Sequence, residues 1–339
     1  MTLSELQEFC HEEGFPRYAA RQLCEWMYKK RVVNIDAMTN LSLKVRARIK
    51  ETAVVRRTSP LESHLSSDGT RKYLFACADT DALTGMHNFV EAVYIPSSDR
   101  HTLCVSCQRG CKMGCRFCVT GQQGFHGNLT SGDILNQIFS VDESELLTNI
   151  VFMGMGEPLD NYVNIKRVLD ILTADWGLGW SPTRLTVSSV GITPALKQLL
   201  DETKCHVAIS LHNAFASERA ELMPMQKAYP IAGIMDLLRN YNWNGQRRIS
   251  FEYTMLRGIN DDMSHAAELI RLIGKLHCRV NLIRFHASPN TPFRPSDYHT
   301  MESFRDYLSQ HGVTCTIRAS RGEDIMAACG LLAGAAQNR

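Results

Sequence analysis

Residues Cys104–Phe125 read CVSCQRGCKMGCRFCVTGQQGF and hold five of the chain's twelve cysteines. Cys111, Cys115 and Cys118 form a C-x3-C-x2-C spacing, tight enough for one loop to aim three thiolates at one centre. Soft thiolates of this kind select zinc, copper(I) or an iron–sulfur cluster. A structural zinc site usually takes a fourth ligand from a second knuckle, and no Cys/His pair with finger-like spacing follows. Three ligands on a cubane cluster leave one iron open to another molecule. Structural zinc, a purely electron-transferring cluster and ordinary thiols all remain compatible with the spacing itself.

The run directly follows a candidate strand, Leu103–Val105, which is the first of a series. Further strands are expected at Ile150–Met153, Leu185–Ser188, Val207–Ser210, Ile249–Met255 and Val280–Phe285, with a later one at Thr314–Arg318. Amphipathic stretches such as SGDILNQIF, VNIKRVLDIL, TPALKQLL, IAGIMDLLRNY and SHAAELIRLIGKL lie between them. Strands alternating with helices predict an α/β fold with a parallel sheet, and six such units predict an open or partial (β/α)6 barrel. Chemistry in such folds gathers at the carboxyl ends of the strands. Cys111 follows the first strand, Gly156-Glu157 the second, Ser188 ends the third, and His212 and His286 follow the fourth and sixth.

Upstream, RKYLFACADTDALTGMHNFVEAVYIP reads as two alternating runs around a polar turn, a hairpin within a connector over residues 61–100. Residues 1–60 show helical periodicity in RYAARQLCEWMYKKR and LSLKVRARIKETAVV. Between Phe15 and Arg57 there are eleven Lys or Arg against three acidic residues, so a chain of net charge +2 concentrates its positive charge here. Residues 101–339 form the expected core. The chain is 44% hydrophobic over 339 residues, enough for a substantial core. No run of about 18 apolar residues occurs, and the first residues lack a basic start with an apolar run. A cytoplasmic monomer without a membrane partner is expected, with its cysteines reduced.

The C-x3-C-x2-C loop resembles that of the radical S-adenosylmethionine enzymes, and the surrounding sequence resembles the RlmN/Cfr family of RNA adenine methyltransferases. The likeness runs nearly end to end through EAVYIP, LCVSCQRGCKMGCRFCVTGQQGF, FMGMGEPLDN, LTVSSVG, AISLHNAFASERAELMP, EYTML and RGEDIMAACGLLAG. It implies a [4Fe-4S] cluster on Cys111, Cys115 and Cys118. It further implies S-adenosylmethionine, two molecules per turnover, in a pocket built from Gly156, Glu157, Ser188, Ser210, Leu211, His212 and His286.

By the same resemblance, Cys329 carries the methyl group as S-methylcysteine, Glu91 accepts a proton, and Cys104 resolves the enzyme–RNA adduct through a transient disulfide with Cys329. A radical route suits the implied target, because adenine C2 lies between two ring nitrogens and is not a nucleophile. The implied partners are 23S rRNA in its peptidyl-transferase region, tRNA at the adenosine next to the anticodon, and a reductant protein such as flavodoxin or ferredoxin. The basic helices would meet RNA phosphates through Arg17, Arg21, Lys29, Lys30, Arg31, Lys44, Arg46, Arg48 and Arg56, interleaved with Tyr18, Trp26 and Tyr28.

Some positions depart from the family pattern. Cys107 and Arg109 stand where Ser and Val are expected, and Cys107 reads as a bystander thiol. His286 stands where Asn is expected; its ring can still donate or accept a hydrogen bond there. TGQQGF, Pro158 and Glu252 favour the RlmN branch and C2 methylation, whereas Arg284 looks like the Cfr branch, which methylates C8. Two further classes are an RNA-binding accessory protein with a structural or redox-sensing cluster, which needs neither Cys329 nor Cys104, and a radical enzyme for a small molecule, which leaves the basic helices without a task.

Overall fold

The computed structural model describes residues 1–77, 89–288 and 291–333. The amino-terminal segment is helical where its apolar residues recur at three and four spacing. Helix α1 (Leu3–Glu12) begins on a capping box: Thr2 Oγ1 accepts from Glu5 N, and Thr2 N donates back to Glu5 Oε2 at 2.7 Å. Helix α2 (Ala19–Cys24) continues into a π-helical turn, Glu25–Lys29, and α3 (Leu43–Thr52) is capped by Ser42. Leu6, Cys10, Leu23, Tyr28, Val45 and Ile49 are buried on the inner faces. Tyr28 therefore belongs to the core, whereas Tyr18 is 65% exposed.

Strands β1 (Glu62–Leu65), β2 (Arg71–Ala76) and β3 (Phe89–Pro96) pair antiparallel in sequence order, and β3 pairs antiparallel with β4 (His101–Cys104). The β2–β3 pair is the hairpin read from the sequence; its polar turn lies outside the described residues. Strand β1 escapes a pattern reading because ESHL has one apolar residue, Leu65, and that residue is exposed. After β4 come a short ribbon of β5 (Gln108–Gly110) and β6 (Phe125–Asn128), with the one-turn helix α4 (Val119–Gln122) between them.

From β4 onward the main sheet is parallel. It runs through β7 (Asn149–Phe152), β8 (Leu185–Ser189), β9 (His206–Ser210), β10 (Ile249–Met255), β11 (Arg279–Arg284) and β12 (Thr314–Ile317), each beside the strand before it. The crossovers are α5 (Ser131–Ser140), α6 (Tyr162–Thr173), α7 (Thr193–Glu202), the pair α8 (Ala216–Leu222) and α9 (Ile231–Arg239), α10 (Met263–Ile273) and α11 (Tyr298–Gln310). All seven expected strands are present, and the fold is α/β. With β1, β2 and β3 these seven form one ten-stranded mixed sheet, β1-β2-β3-β4-β7-β8-β9-β10-β11-β12. Strand residues such as Leu103, Ile150, Val187, Ile209, Phe251 and Val280 are fully buried against helix residues such as Ile134, Ile165, Leu196, Ile234 and Leu269. This continuous burial is what a parallel sheet requires.

The turn after β7 fixes where the chemistry sits. Gly154 N donates to Val105 O at 3.1 Å, Met155 N to Ser106 Oγ at 2.8 Å, and Met155 O accepts from Cys107 N at 2.8 Å. The chain of residues 153–156 thus lies directly on the extension of β4. Gly156 has φ +101°, and a Cβ there would stand 2.5 Å from Gln108 Cβ. Gly156→Ala is therefore expected to destabilise by about 2–3 kcal/mol. Gly233→Ala, in α9 with nothing within 4 Å of the new Cβ, is expected to stabilise by about 0.5–1 kcal/mol. Urea unfolding midpoints of the two variants check both signs.

Candidate active site

The three loop cysteines are held by backbone geometry at both ends of the loop. Cys111 N donates to Gly124 O at 2.7 Å across the ribbon, and Cys118 N donates to Cys115 O at 3.1 Å. Gly110 makes this closure possible, since a Cβ there would lie 2.0 Å from Gly124 O. Arg116 N is anchored to Leu222 O at 3.0 Å. Cys111, Cys115 and Cys118 all line one cavity at the carboxyl ends of the parallel strands, whose wall also includes Gly156, Glu157, Ser188, Ser210, His212 and Cys329. Cys107 is buried and is not part of that wall.

Burial raises all three loop thiols, Cys111 up to about 12, and neighbouring thiols and Glu157 raise Cys111 and Cys115 further. In the protein alone they are neutral; a bound metal centre is what stabilises the thiolate form. Among the described residues no three His, Cys, Asp or Glu side chains are gathered as a mononuclear metal site. A cubane asks for something different, one thiolate on each of three irons, and three cysteines of one loop lining a single cavity suit that demand.

Glu157 is buried in the cavity wall. Its Oε1 accepts from Leu159 N at 3.1 Å and its Oε2 from Val190 N at 3.0 Å. Burial pushes its pKa up to about 7 against those hydrogen bonds and one from Ser189. The carboxylate keeps lone pairs free for an ammonium group of a ligand. His212 has a left-handed backbone, φ +55°, and its Nδ1 accepts from Thr254 N at 3.0 Å. Burial, and then Arg219, push its pKa down to about 3, so the ring is neutral with its proton on Nε2; Phe117 packs edge-on at 4.7 Å.

Arg219 has no counterpart in the sequence reading. It is 1% exposed and donates to Leu211 O, Gln226 Oε1, Val190 O and Ser210 O at 2.5–3.2 Å, with no carboxylate partner among the described residues. Burial lowers its pKa to about 10, and Cys115 opposes that shift. A fully buried cation beside Cys115 complements negative charge on that thiol.

Two expected pocket residues stand elsewhere. Leu211 is fully buried and absent from the cavity wall, contributing its carbonyl to Arg219. His286 is also absent from the wall; its Nδ1 lies 3.2 Å from Glu323 Oε1, badly angled for a hydrogen bond, and Phe285 lines the cavity in its place. The wall gains Glu252, whose Oε1 accepts from Ser250 Oγ and Asn281 Nδ2 while Oε2 has no hydrogen-bond partner among the described residues. Arg318 Nε stands 3.6 Å from that Oε2. The sequence signal for Glu252 was visible only as a marker of the branch.

The carboxy-terminal segment docks on the cysteine loop through its backbone. Val119 N donates to Gly330 O at 2.9 Å, Thr120 Oγ1 to Leu332 O at 2.6 Å and Gln123 Nε2 to Ala333 O at 2.8 Å. Cys329 is exposed by area, yet it opens into the cavity, where burial raises its pKa, Arg318 lowers it, and Glu252 and Cys118 raise it. Ala333 N donates to Glu91 Oε2 at 2.7 Å, and Lys72 Nζ holds Glu91 Oε1 at 3.0 Å in a buried pair. The register pairs Val93 with both Lys72 and Cys104, so Glu91, two residues along β3, shares their face of the sheet. Cys104 is buried at the end of β4, with its thiol pushed up by burial and then by Cys329. All twelve cysteines are free thiols in this structure, and the Cys104–Cys329 bridge that the resemblance implies is a transient one, not part of the resting fold.

Lys72→Met is expected to cost about 3–5 kcal/mol because it strands the buried Glu91 charge, and Lys72→Met/Glu91→Gln should recover most of that loss in urea unfolding. Glu157 makes a pH-dependent contribution. Its folded value of about 7 lies above the ordinary 4.5, so stability from its neutral form is full below pH 4.5 and is lost as pH rises through 7. Glu157→Gln should flatten the stability profile of the cluster-free protein across that window; an unchanged slope would rule out this carboxyl as its source.

Comparison with known proteins accounts for this arrangement. Residues 1–55 match the family described as "Ribosomal RNA large subunit methyltransferase N-terminal domain", and residues 105–270 match the "Radical SAM superfamily". The "Probable dual-specificity RNA methyltransferase RlmN" of Phocaeicola vulgatus is 54% identical over 338 residues, covering 100% of this chain and 95% of that protein. The "Dual-specificity RNA methyltransferase RlmN" of Syntrophus aciditrophicus is 42% identical, covering 99% and 96%. The crystal structure of a radical SAM methyltransferase from Sphaerobacter thermophilus superposes with a TM-score of 0.89 at 38% identity over 98% of each chain. The superfamily implies a [4Fe-4S] cluster and S-adenosylmethionine, which three thiols facing one cavity and a buried glutamate beside them suit. With both family matches and full-length identity of this order, the chain belongs to the RlmN family of radical SAM RNA methyltransferases.

Proposed function

We propose that this enzyme methylates C2 of adenosine in 23S rRNA and in tRNA, using Cys329 as the methyl carrier. The observation that carries the reading is that Cys329 and the three loop cysteines line one cavity, while the segment following Cys329 is tied to Glu91. When bound, the cluster on Cys111, Cys115 and Cys118 supplies the electron that cleaves S-adenosylmethionine. Two molecules are used per turnover, one to methylate Cys329 and one to activate that methyl group.

The chain's own residues divide the remaining work. Gly156 and Glu157 receive the methionine end of S-adenosylmethionine, with Ser188, Ser210 and His212 along the same wall. Arg318 favours the Cys329 thiolate needed for displacement at a sulfonium methyl. Glu91, held by Lys72, takes the proton that leaves the base. Cys104 then attacks the Cys329 sulfur: the Cys104–Cys329 bond forms as the bond from that sulfur to the methyl carbon breaks, the carbon leaving with the electron pair and taking a proton. A cellular dithiol reopens the bridge by exchange, while a reductant protein such as flavodoxin or ferredoxin would supply the cluster's electron.

RNA is supported by the basic helices. Among the described residues Arg17, Lys29, Lys44 and Arg56 form no ion pair and are available to phosphates, whereas Arg21, Lys30 and Arg48 pair with Asp175, Glu25 and Glu13. The dual specificity carried in the relatives' names supports two RNA substrates, given the near-complete coverage. Arg284 gives the C8 alternative little support. It stands 3.6 Å from Glu323 and over the Tyr298 ring, and it is absent from the cavity wall.

The test is mass spectrometry of nucleosides from RNA incubated with anaerobically reconstituted protein, S-adenosylmethionine and reductant. Wild type is expected to yield 2-methyladenosine and Cys329→Ala none. An 8-methyladenosine product would overturn the C2 assignment, and full activity in the variant would overturn the methyl-carrier role.

A further inference from the structure

A second cavity, of about 800 Å³, lies at the opposite ends of the same parallel strands. Thr102, Asn149, Thr186 and His206 reach it from the starts of β4, β7, β8 and β9, and Arg248 reaches it from just before β10. Among the described residues its wall contains Arg100, Arg248, Arg318 and Arg321 and no Asp or Glu. Two of these guanidinium groups are only loosely balanced, Arg318 at 3.6 Å from Glu252 and Arg321 at 4.0 Å from Asp68. Arg100 and Arg248 form no ion pair among the described residues.

We propose that this cavity binds a small phosphorylated anion. Four guanidinium groups facing one recess repel one another, and a multivalent anion converts that repulsion into attraction. Arginine is suited to the task because its planar fork meets two phosphate oxygens at once. His206 adds a neutral donor: its Nδ1 accepts from Arg248 N at 3.0 Å, which leaves the proton on Nε2. Burial and then Arg248, Arg247, Arg279 and Arg100 push its pKa down to about 4, as a strongly positive recess would. Asn149 and Gln246 offer further hydrogen bonds, and the volume falls in the range of small-molecule sites.

The site stands apart from the methylation cavity and does not depend on the substrate assigned above. Along β8 and β11 the two walls are two residues apart, Thr186 and Asn281 facing this cavity and Ser188 and Ile283 the other, a step of about 7 Å. Arg318 lines both cavities and forms the partition between them together with Glu252 and Asn281.

The experiment is calorimetric titration of the full-length, cluster-loaded protein with inorganic pyrophosphate at low ionic strength. Saturable one-to-one binding is expected, weakened at least tenfold in Arg100→Gln/Arg248→Gln and unchanged in Arg271→Gln/Arg305→Gln on the outer helices. The Arg100 and Arg248 side chains make no hydrogen bond or ion pair among the described residues, so the variant should unfold at the wild-type midpoint, which thermal unfolding checks. Absence of saturable binding to wild type, or equal weakening in both double variants, would overturn the proposal. So would a loss of RNA affinity in Arg100→Gln/Arg248→Gln without any pyrophosphate binding, since the recess would then contact an RNA backbone instead.

Discussion

The candidate site depends on one docking: the backbone of residues 330–333 lies between the cysteine loop on one side and Glu91 on the other. Val119, Thr120 and Gln123 donate to the Gly330, Leu332 and Ala333 carbonyls, and the Ala333 amide donates to the Glu91 carboxylate. Side chains of the docked segment take no part in these bonds, so its sequence is free to present Cys329 to the cavity. A cluster loop without the segment would lose its neighbour thiol, and the segment without Glu91 would lose one end of its clamp. The antiparallel strands at the edge of the sheet are therefore part of the active site: β3 contributes Glu91 and β2 contributes the lysine that fixes it.

Electrostatics inside the cavity follow from the same burial. Neutral thiols, a neutral imidazole and a half-protonated Glu157 minimise charge in a low-dielectric pocket, while Arg219 is charged and satisfied wholly by neutral oxygens. Such a pocket is poised for a ligand that brings charge of both signs. An ammonium group would ionise Glu157, and a metal cluster would ionise the three cysteines, with Arg219 already in place beside Cys115.

Local sequence patterns disclosed the parts of this structure that are periodic. The seven parallel strands are short apolar runs bounded by helices, and burial on both faces makes such runs visible. The cysteine loop and the GMGE turn stand out because their spacing and glycines have few other uses. Long-range pairings were not legible in that way. Nothing in the spacing of Lys72 and Glu91 distinguishes a buried cross-strand pair from two surface charges, and Arg219 reads as one charge among several within AISLHNAFASERAELMP. Leu211 and His286 show the converse. Each sits within two residues of a cavity-wall residue, but successive residues at a strand end turn to opposite sides, and the side each one takes is set by the whole sheet.

The sheet also explains how one fold keeps two recesses chemically distinct. The layer of Ser250, Glu252, Asn281 and Thr316 is linked by hydrogen bonds of 2.8–2.9 Å, and each residue points inward from β10, β11 or β12. Glu252 leaves its second oxygen toward Arg318, so the partition carries one negative and one positive group. Above it lie thiols and a glutamate, and below it lie arginines without acids. Asn281 ties this layer together, donating to Glu252 Oε1 and accepting from Thr316 Oγ1; without it Glu252 Oε1 would keep the Ser250 hydroxyl alone. The separation of thiol chemistry from cationic recognition thus rests on a few side chains at the middle of three adjacent strands.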